Sequence, residues 1–203
     1  YHLDEERLAD IVVEVRCPVR DVADFGALSY VVGKQVGNAT LWFADLAAAL
    51  PPLPADITLG GAAGDRLKTL GAGLAAYGAV ALFHIAGYTP EAQDLGERLI
   101  KPDARRLAVD SLDPGYTVMD ADPDLRQIDL VTIGCPHASL SEIEQIAGML
   151  QGQRVATQLW VTTARITRDR ARAAGWVQAI EAAGGQVVAD TCAVVAPVRS
   201  IGI

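Results

Sequence analysis

Short apolar runs rich in β-branched residues alternate along the chain with longer Ala-rich stretches of helical periodicity. Short runs of this kind are typical of buried strands, and the longer stretches are typical of helices packed against them. The pattern predicts helices at Asp21–Val36, Ala62–Tyr77, Thr89–Leu99, Ser139–Leu150 and Ile166–Ala183. It predicts strands at Ile11–Arg16, Thr40–Ala44, Ala79–Ile85, Arg106–Val109, Ile128–Ile133, Gln158–Thr162 and Gln186–Ala189, and the start of another extended piece at Val194–Val195.

Local residues mark where several of these elements begin and end. Ser139 and Glu142 have the spacing of a capping box at the start of a helix. Gly37 is suited to end the first long helix. Three prolines and a glycine pair predict a loop at Leu50–Gly61, and the residues Ser111–Asp124 have the composition of a polar connection.

The alternation of strands and helices decides the fold class. Strands separated by helices of ten or more residues need crossover connections, and these give a parallel sheet with helices on both faces. We therefore expect an α/β fold with a mainly parallel sheet in three layers. We expect two portions, residues 1–110 and 111–203, with a soft boundary near Asp110–Asp124.

The charge balance limits the possible partners. The formal net charge is -8, and an acidic surface repels phosphate backbones, so we do not expect nucleic acid as a partner. The four arginines between residues 165 and 172 are spaced around a predicted helix, and we interpret them as a solvated helix face.

No membrane association is expected. The segment Leu70–Pro90 has no Asp, Glu, Lys or Arg, but its glycines, Tyr77 and His84 favour a buried helix followed by a buried strand. The acidic residues Asp4 and Glu5 stand near the start, where a signal peptide would have basic residues, so we expect a cytoplasmic protein.

Two of the three cysteines follow predicted strands. Cys135 comes directly after one strand and just before the capped helix, and His137 lies two residues further on. Cys192 follows another strand. The carboxyl ends of parallel strands meet at one sheet edge, where ligands gather, and a helix N-terminus favours the thiolate that binds metal. Each cysteine could equally be a small buried core residue.

A third segment, Phe83–Ala92, brings a histidine and a helix start together. His84 lies inside a predicted strand, so it is either a core histidine with a local partner or a group reaching the site. No CxxC pair, dinucleotide fingerprint, P-loop or GxSxG turn is present, so the sequence favours none of the enzyme classes that use them.

At these segments the sequence resembles the large-subunit domain of the aconitase X family. The resemblance covers nearly the whole chain and is most specific at the GCPHAS stretch around Cys135. It is carried by DFGALSYVVGKQVG (Asp24–Gly37), GAVALFHIAGYTPEA (Gly78–Ala92), IDLVTIGCPHASLSEI (Ile128–Ile143) and ADTCAVVAP (Ala189–Pro197).

The resemblance implies an aconitase-like domain of an iron–sulfur dehydratase that acts on a small hydroxy acid. Cys135 and Cys192 would be two cysteine ligands of the cluster, and His84 and His137 would be candidates for substrate contacts. The third ligand would come from a TCxPY-type segment outside this chain, since Cys17 lies in a different context, VRCPVRD. A small swivel domain or subunit would complete the enzyme, so we expect this piece alone to be inactive and to hold no intact cluster.

Several alternatives stay open at this point. The substrate favoured by the Ala-rich composition is cis-3-hydroxy-L-proline, and the alternative within the family is phosphomevalonate. The chain could also be a non-catalytic α/β domain that binds a small acid in the same crevice, or a structural half-domain that needs a partner chain.

Overall fold

The computed structural model of the protein describes residues 4–53 and 61–196, which fall into two units. The first unit comprises Tyr1–Pro52 and Asp65–Asp120, and the second comprises Leu53–Gly64 and Ala121–Ile203. The sequence predicts a soft boundary between its two portions near Asp110–Asp124. The helix at Asp113–Met119 belongs to the first unit, because it packs on the helix at Val22–Val36.

The first unit is built on a four-stranded parallel sheet. From one edge to the other its parallel strands are Phe83–Ile85, Leu41–Phe43, Ala9–Val15 and Ile100–Val109, so each connection between consecutive strands has to cross over a face of the sheet. Short 3-10 turns occur at Asp4–Arg7, Leu46–Ala49 and Gly96–Leu99. The main elements are β1 (Ala9–Val15), α1 (Val22–Val36), β2 (Leu41–Phe43), α2 (Ala62–Gly78), β3 (Phe83–Ile85), α3 (Pro90–Leu95), β4 (Ile100–Val109) and α4 (Asp113–Met119).

Apolar side chains on both faces of this sheet give three layers. Val13 and Phe43 point to one face and join a core with Leu28 of α1 and Leu70 of α2. Their neighbours along the strands point to the opposite face and pack against α3 and the turn after it. This arrangement confirms the predicted α/β class with a parallel sheet covered on both sides.

The second unit has a three-stranded parallel sheet, in which the strand Gln158–Thr163 lies between Leu130–Ile133 and Gln186–Ala189. One core joins side chains of two strands and all three helices, including Ile143, Val161, Ala171 and Val187. The elements are β5 (Leu130–Ile133), α5 (Leu140–Met149), β6 (Gln158–Thr163), α6 (Arg165–Ala173), α7 (Trp176–Ala182) and β7 (Gln186–Ala189).

Two helical predictions were wrong. The predicted polar connection contains α4, in which Gly115 is the one fully buried residue, so the helix shows little periodic apolar pattern. The single helix predicted at Ile166–Ala183 is divided into α6 and α7. Gly175, at φ 87°, adopts the left-handed conformation that a glycine accommodates without steric cost, and this breaks the helix.

The strand predictions differ mainly in length. β3 begins at Phe83 rather than at residue 79, and β4 begins at Ile100 rather than at residue 106. The early part of β4 is largely exposed, so it lacks the apolar run that marks a buried strand. Val194 and Val195 lie in a turn closed by N–H groups that donate to the Cys192 carbonyl, so the extended piece predicted there was wrong.

Two further expectations concern loops and membrane spans. Residues 54–60 of the predicted loop at Leu50–Gly61 lie outside the described residues. Within the described ranges, no helix has both the length and the apolar character needed to cross a bilayer.

Candidate metal centre

The loop that carries Cys135 begins at Gly134, directly after β5. Gly134 has φ 117°, and a Cβ atom there would overlap the carbonyl oxygen of Thr162 at the end of β6. A glycine is therefore needed to bring this loop against the neighbouring strand. The Cys135–Pro136 peptide bond is cis, and Cys135 is exposed to solvent.

Two threonines at the end of β6 hold the Cys135 loop in place. The Thr162 hydroxyl donates to the Gly134 carbonyl at 2.9 Å, and the Thr163 hydroxyl donates to the Ala138 carbonyl at 2.6 Å. In return the Ala138 N–H donates to the Thr162 carbonyl at 2.8 Å. Both threonines are buried, so these bonds are shielded from water. These bonds were not predicted from the sequence, because the threonines acquire their role only when the loop lies against them.

The predicted capping box after this loop is confirmed. The Glu142 N–H donates to the Ser139 hydroxyl at 3.2 Å, and the Ser139 N–H donates to the Glu142 carboxylate at 2.7 Å. These bonds satisfy two of the free N–H groups at the start of α5. The loop from Gly134 to Ala138 is thus bound to β6 at both of its ends, and the start of α5 follows directly after it.

The loop that carries Cys192 turns away from β7 at Asp190. The backbone there is left-handed, with φ 59°, and the Asp190 N–H donates to the Thr163 carbonyl at 2.9 Å. Its carboxylate accepts the Arg165 N–H at 2.9 Å and pairs with the Arg165 guanidinium at 2.7 Å. The hydrogen bond from the Arg165 N–H lowers the pKa of the Asp190 carboxyl below its ordinary value.

His137 joins the two cysteine loops. Its Nε2 lies 3.1 Å from the carbonyl oxygen of Thr191, the residue next to Cys192. Because β6 lies between β5 and β7, this contact spans the carboxyl edge of the whole three-stranded sheet. The structure therefore brings together three of the predicted site residues, Cys135, His137 and Cys192, on adjoining loops.

The chemistry of this donor set suits an iron–sulfur cluster in part. Thiolate sulfur is the preferred protein ligand of such clusters. Both Cys135 and Cys192 are free thiols, the first exposed and the second half-buried. In the part of the chain that the structure describes, no group of three or more His, Cys, Asp or Glu side chains is arranged to hold a metal ion. Both thiols have the chemistry of cluster ligands, and they lie on adjoining loops.

His84 lies in the first unit, within β3, and is almost fully buried at 1% exposure. Its Nε2 lies 2.8 Å from the Arg7 carbonyl, and its Nδ1 lies 3.7 Å from the Glu91 carboxylate. Glu91 in turn pairs with the Arg7 side chain at 2.6 Å. These contacts account for His84 as a core histidine with local partners, the interpretation that the sequence left open beside a catalytic one.

Cys17 also lies in the first unit, after β1. It is half-buried beside a cavity lined in part by Asp24 and Tyr116, and burial raises the pKa of its thiol. The Tyr116 hydroxyl donates to the buried Asp24 carboxylate at 2.6 Å, and the Arg20 N–H and guanidinium donate to it at 2.8 and 3.0 Å. The Tyr116 bond joins α4 to α1, and the Arg20 bonds tie the segment before α1 to its first turn.

Comparison with known protein families assigns the two units separately. Residues 9–114 match the model of the aconitase X second domain, and residues 128–203 match that of the aconitase X third domain. The chain belongs to the aconitase X family. The resemblance drawn from the motifs around Cys135 and Cys192 is thereby confirmed.

Similar proteins of this family carry two different names. The large subunit of phosphomevalonate dehydratase from Methanothermobacter thermautotrophicus is 39% identical over 202 residues, which are 100% of this chain and 46% of that protein. The cis-3-hydroxy-L-proline dehydratase from Pseudomonas aeruginosa is 32% identical over 197 residues, which are 94% of this chain and 32% of that protein. The chain therefore spans about half or less of the length of these curated relatives.

A solved structure of the same family supports the fold. The crystal structure of Thermococcus kodakaraensis aconitase X in its holo form matches with a TM-score of 0.80 and 34% sequence identity. The match covers 98% of this chain and 48% of that one.

Proposed function

We propose that this aconitase X chain serves a dehydratase by supplying Cys135 and Cys192 as two thiolate ligands of an iron–sulfur cluster. The observation that carries the proposal is the His137–Thr191 hydrogen bond of 3.1 Å, because it holds the two cysteine loops together at one sheet edge. A third cysteine ligand would come from outside this sequence, as the family resemblance implies. The exposure of Cys135 leaves its thiol accessible to such a partner segment.

Each residue of the edge has a distinct role in this proposal. When bound, the cluster would supply an iron with an open coordination position, which acts as a Lewis acid toward a hydroxyl leaving group. Cys135 and Cys192 would hold the cluster as thiolates. His137 orients the Cys192 loop through the Thr191 carbonyl. It lies at the carboxyl edge of the sheet, where the substrate would bind. His84 is occupied by Arg7 and Glu91 within its own unit, so the proposal does not depend on it.

For the substrate, we propose phosphomevalonate, with a separate small subunit as partner. The support is the higher identity to the phosphomevalonate dehydratase large subunit, 39% over the whole chain, against 32% over 94% of the chain for the hydroxyproline enzyme. Composition alone had favoured cis-3-hydroxy-L-proline, which remains the second candidate because the P. aeruginosa enzyme also aligns along most of the chain.

A direct assay separates the two substrates. The natural polypeptide that contains this sequence would be purified without oxygen together with its small subunit, and water elimination from phosphomevalonate and from cis-3-hydroxy-L-proline would be followed. We expect turnover of phosphomevalonate alone. Turnover of cis-3-hydroxy-L-proline alone would make that compound the substrate instead. If an iron-loaded complex turned over neither compound, the dehydratase proposal would be contradicted.

A further inference from the structure

Asp190 has an unusual backbone for a residue with a side chain. Within the described residues it is one of two non-glycine residues with positive φ, the other being Ala79. Aspartate and asparagine tolerate this left-handed conformation better than most residues. The conformation turns the chain from β7 into the Cys192 loop, so it decides the direction in which that loop leaves the sheet.

The Asp190 carboxylate also caps the start of α6, which has no capping side chain of its own. Ala164 stands at the N-cap position and has no side chain that can accept a hydrogen bond. The Arg165 N–H, the first of that helix, donates instead to Asp190 at 2.9 Å, across 25 residues of sequence. The accompanying ion pair is well exposed, with 67% and 45% of the two side chains accessible, so solvent screens it. The Arg165 N–H bond anchors the loop to α6, and the Asp190 N–H, which donates to the Thr163 carbonyl at 2.9 Å, anchors it to β6.

The Cys192 loop is thus held at three points around the thiol. Asp190 anchors it to α6, the Thr191 carbonyl is bound by His137, and the Cys192 carbonyl accepts the Ala196 N–H at 2.9 Å. Metal–ligand distances tolerate only small errors, so a ligand loop has to be fixed before the metal binds.

We propose that Asp190 is a positioning residue which, by capping α6, aims the Cys192 thiol toward Cys135. The inference rests on the proposed function, in which both thiols ligate one cluster. Residues that orient metal ligands typically contribute roughly 10- to 100-fold to metal affinity. We expect the metal affinity to fall by a factor of that size when the cap is removed. We expect no comparable fall when only the charge of Asp190 is removed.

Substitutions on both sides of the bond separate these contributions. Asp190→Asn keeps an acceptor oxygen and tolerance of positive φ, whereas Asp190→Gly keeps the backbone freedom and removes the acceptor. On the helix side, Arg165→Pro removes the N–H at a first helical position that suits proline, and Ala164 already has the extended backbone that precedes proline. Arg165→Ala removes only the guanidinium and is the matched control.

The test uses the metal-free 203-residue chain and a short bis-alkylating reagent that links Cys135 to Cys192. We expect Asp190→Gly and Arg165→Pro to slow the cross-link several-fold, and Asp190→Asn and Arg165→Ala to leave it near the original rate. A urea unfolding transition of the second unit like that of the original chain shows that a variant is folded, and the alkylation rate of Cys17, in the first unit, is the internal reference for the reagent. If Asp190→Gly fails to fold, Arg165→Pro decides the outcome.

Cross-linking at the original rate in the folded Asp190→Gly or Arg165→Pro protein would overturn the positioning role. The failure of the proposed function would look different. In that case Cys192→Ser would retain iron in the full enzyme, whatever the cross-linking rates of the Asp190 and Arg165 variants.

Discussion

The imidazole of His137 is hydrogen-bonded to the carbonyl oxygen of Thr191, 54 residues further along the chain, at 3.1 Å. A carbonyl oxygen only accepts, so Nε2 carries the proton of this bond. The bond joins the loop after β5 to the loop after β7, across the end of β6. It links the two loops that carry Cys135 and Cys192, and it makes His137 a structural member of the site whether or not it also contacts substrate.

Replacing His137 tests that link. We expect His137→Ala to slow the cross-link between Cys135 and Cys192 in the metal-free chain, because the Thr191 carbonyl loses its donor and the loops separate. His137→Gln is the matched control, since its amide N–H can donate to the same carbonyl. The cross-linking rate measured by mass spectrometry would decide, and equal rates for His137→Ala and the original chain would exclude the link as a positioning contact.

The glycine that begins the Cys135 loop should tolerate no side chain. We expect Gly134→Ala to lower the free energy of unfolding of the second unit by more than about 1–3 kcal/mol, because a left-handed alanine is strained and its Cβ would overlap the Thr162 carbonyl. Gly148 in α5 is the matched control. A Cβ there meets nothing within 4 Å, so Gly148→Ala should stabilise the helix by roughly 0.5–1 kcal/mol.

Urea unfolding at constant pH measures both changes. A Gly134→Ala chain as stable as the original would show that the close approach of this loop to β6 is not required.

The bond between Tyr116 and Asp24 should make the first unit sensitive to both extremes of pH. Burial opposes ionisation of Asp24, but the hydrogen bonds from Tyr116 and Arg20 outweigh it and lower the Asp24 pKa. Its contribution is therefore present above the ordinary pKa of an aspartate and is lost as the pH falls through the lowered value. The same bond raises the pKa of Tyr116 to about 12, so its contribution is present below about pH 10 and is lost as the pH rises toward 12.

Tyr116→Phe tests both sides of this dependence. We expect it to cost about 1–3 kcal/mol at neutral pH, the range for a hydrogen bond to a charged group, and to flatten the loss of stability between pH 10 and 12. Tyr30→Phe is the control, because this substitution keeps the ring that packs edge-on against Tyr77, with 5.0 Å between the ring centroids. Stability profiles of identical shape for the two variants would contradict the assignment.

The features that the sequence predicted are those determined by neighbouring residues. The capping box of Ser139 and Glu142 spans four positions, and the parallel strands follow from apolar runs separated by helices. Cys135 and Cys192 were placed correctly after β5 and β7 for the same reason. These elements need no knowledge of distant contacts.

The features that were missed depend on contacts between distant segments. The Asp190 carboxylate meets the start of α6, 25 residues earlier, and α4 forms because it packs on α1. The threonines at the end of β6 acquire their role only when the Cys135 loop lies against them. No local pattern announces such pairings, so periodicity and capping rules could not predict them.

Iron and acid-labile sulfide bound by the full natural polypeptide, purified without oxygen, test the central claim most directly. The variants are Cys135→Ser, Cys192→Ser and, as the matched control, Cys17→Ser. We expect the first two to lose the intact cluster and the Cys17 variant to keep the iron content of the original protein. Full iron and sulfide content in either Cys135→Ser or Cys192→Ser would contradict the assignment of these two thiols to one cluster.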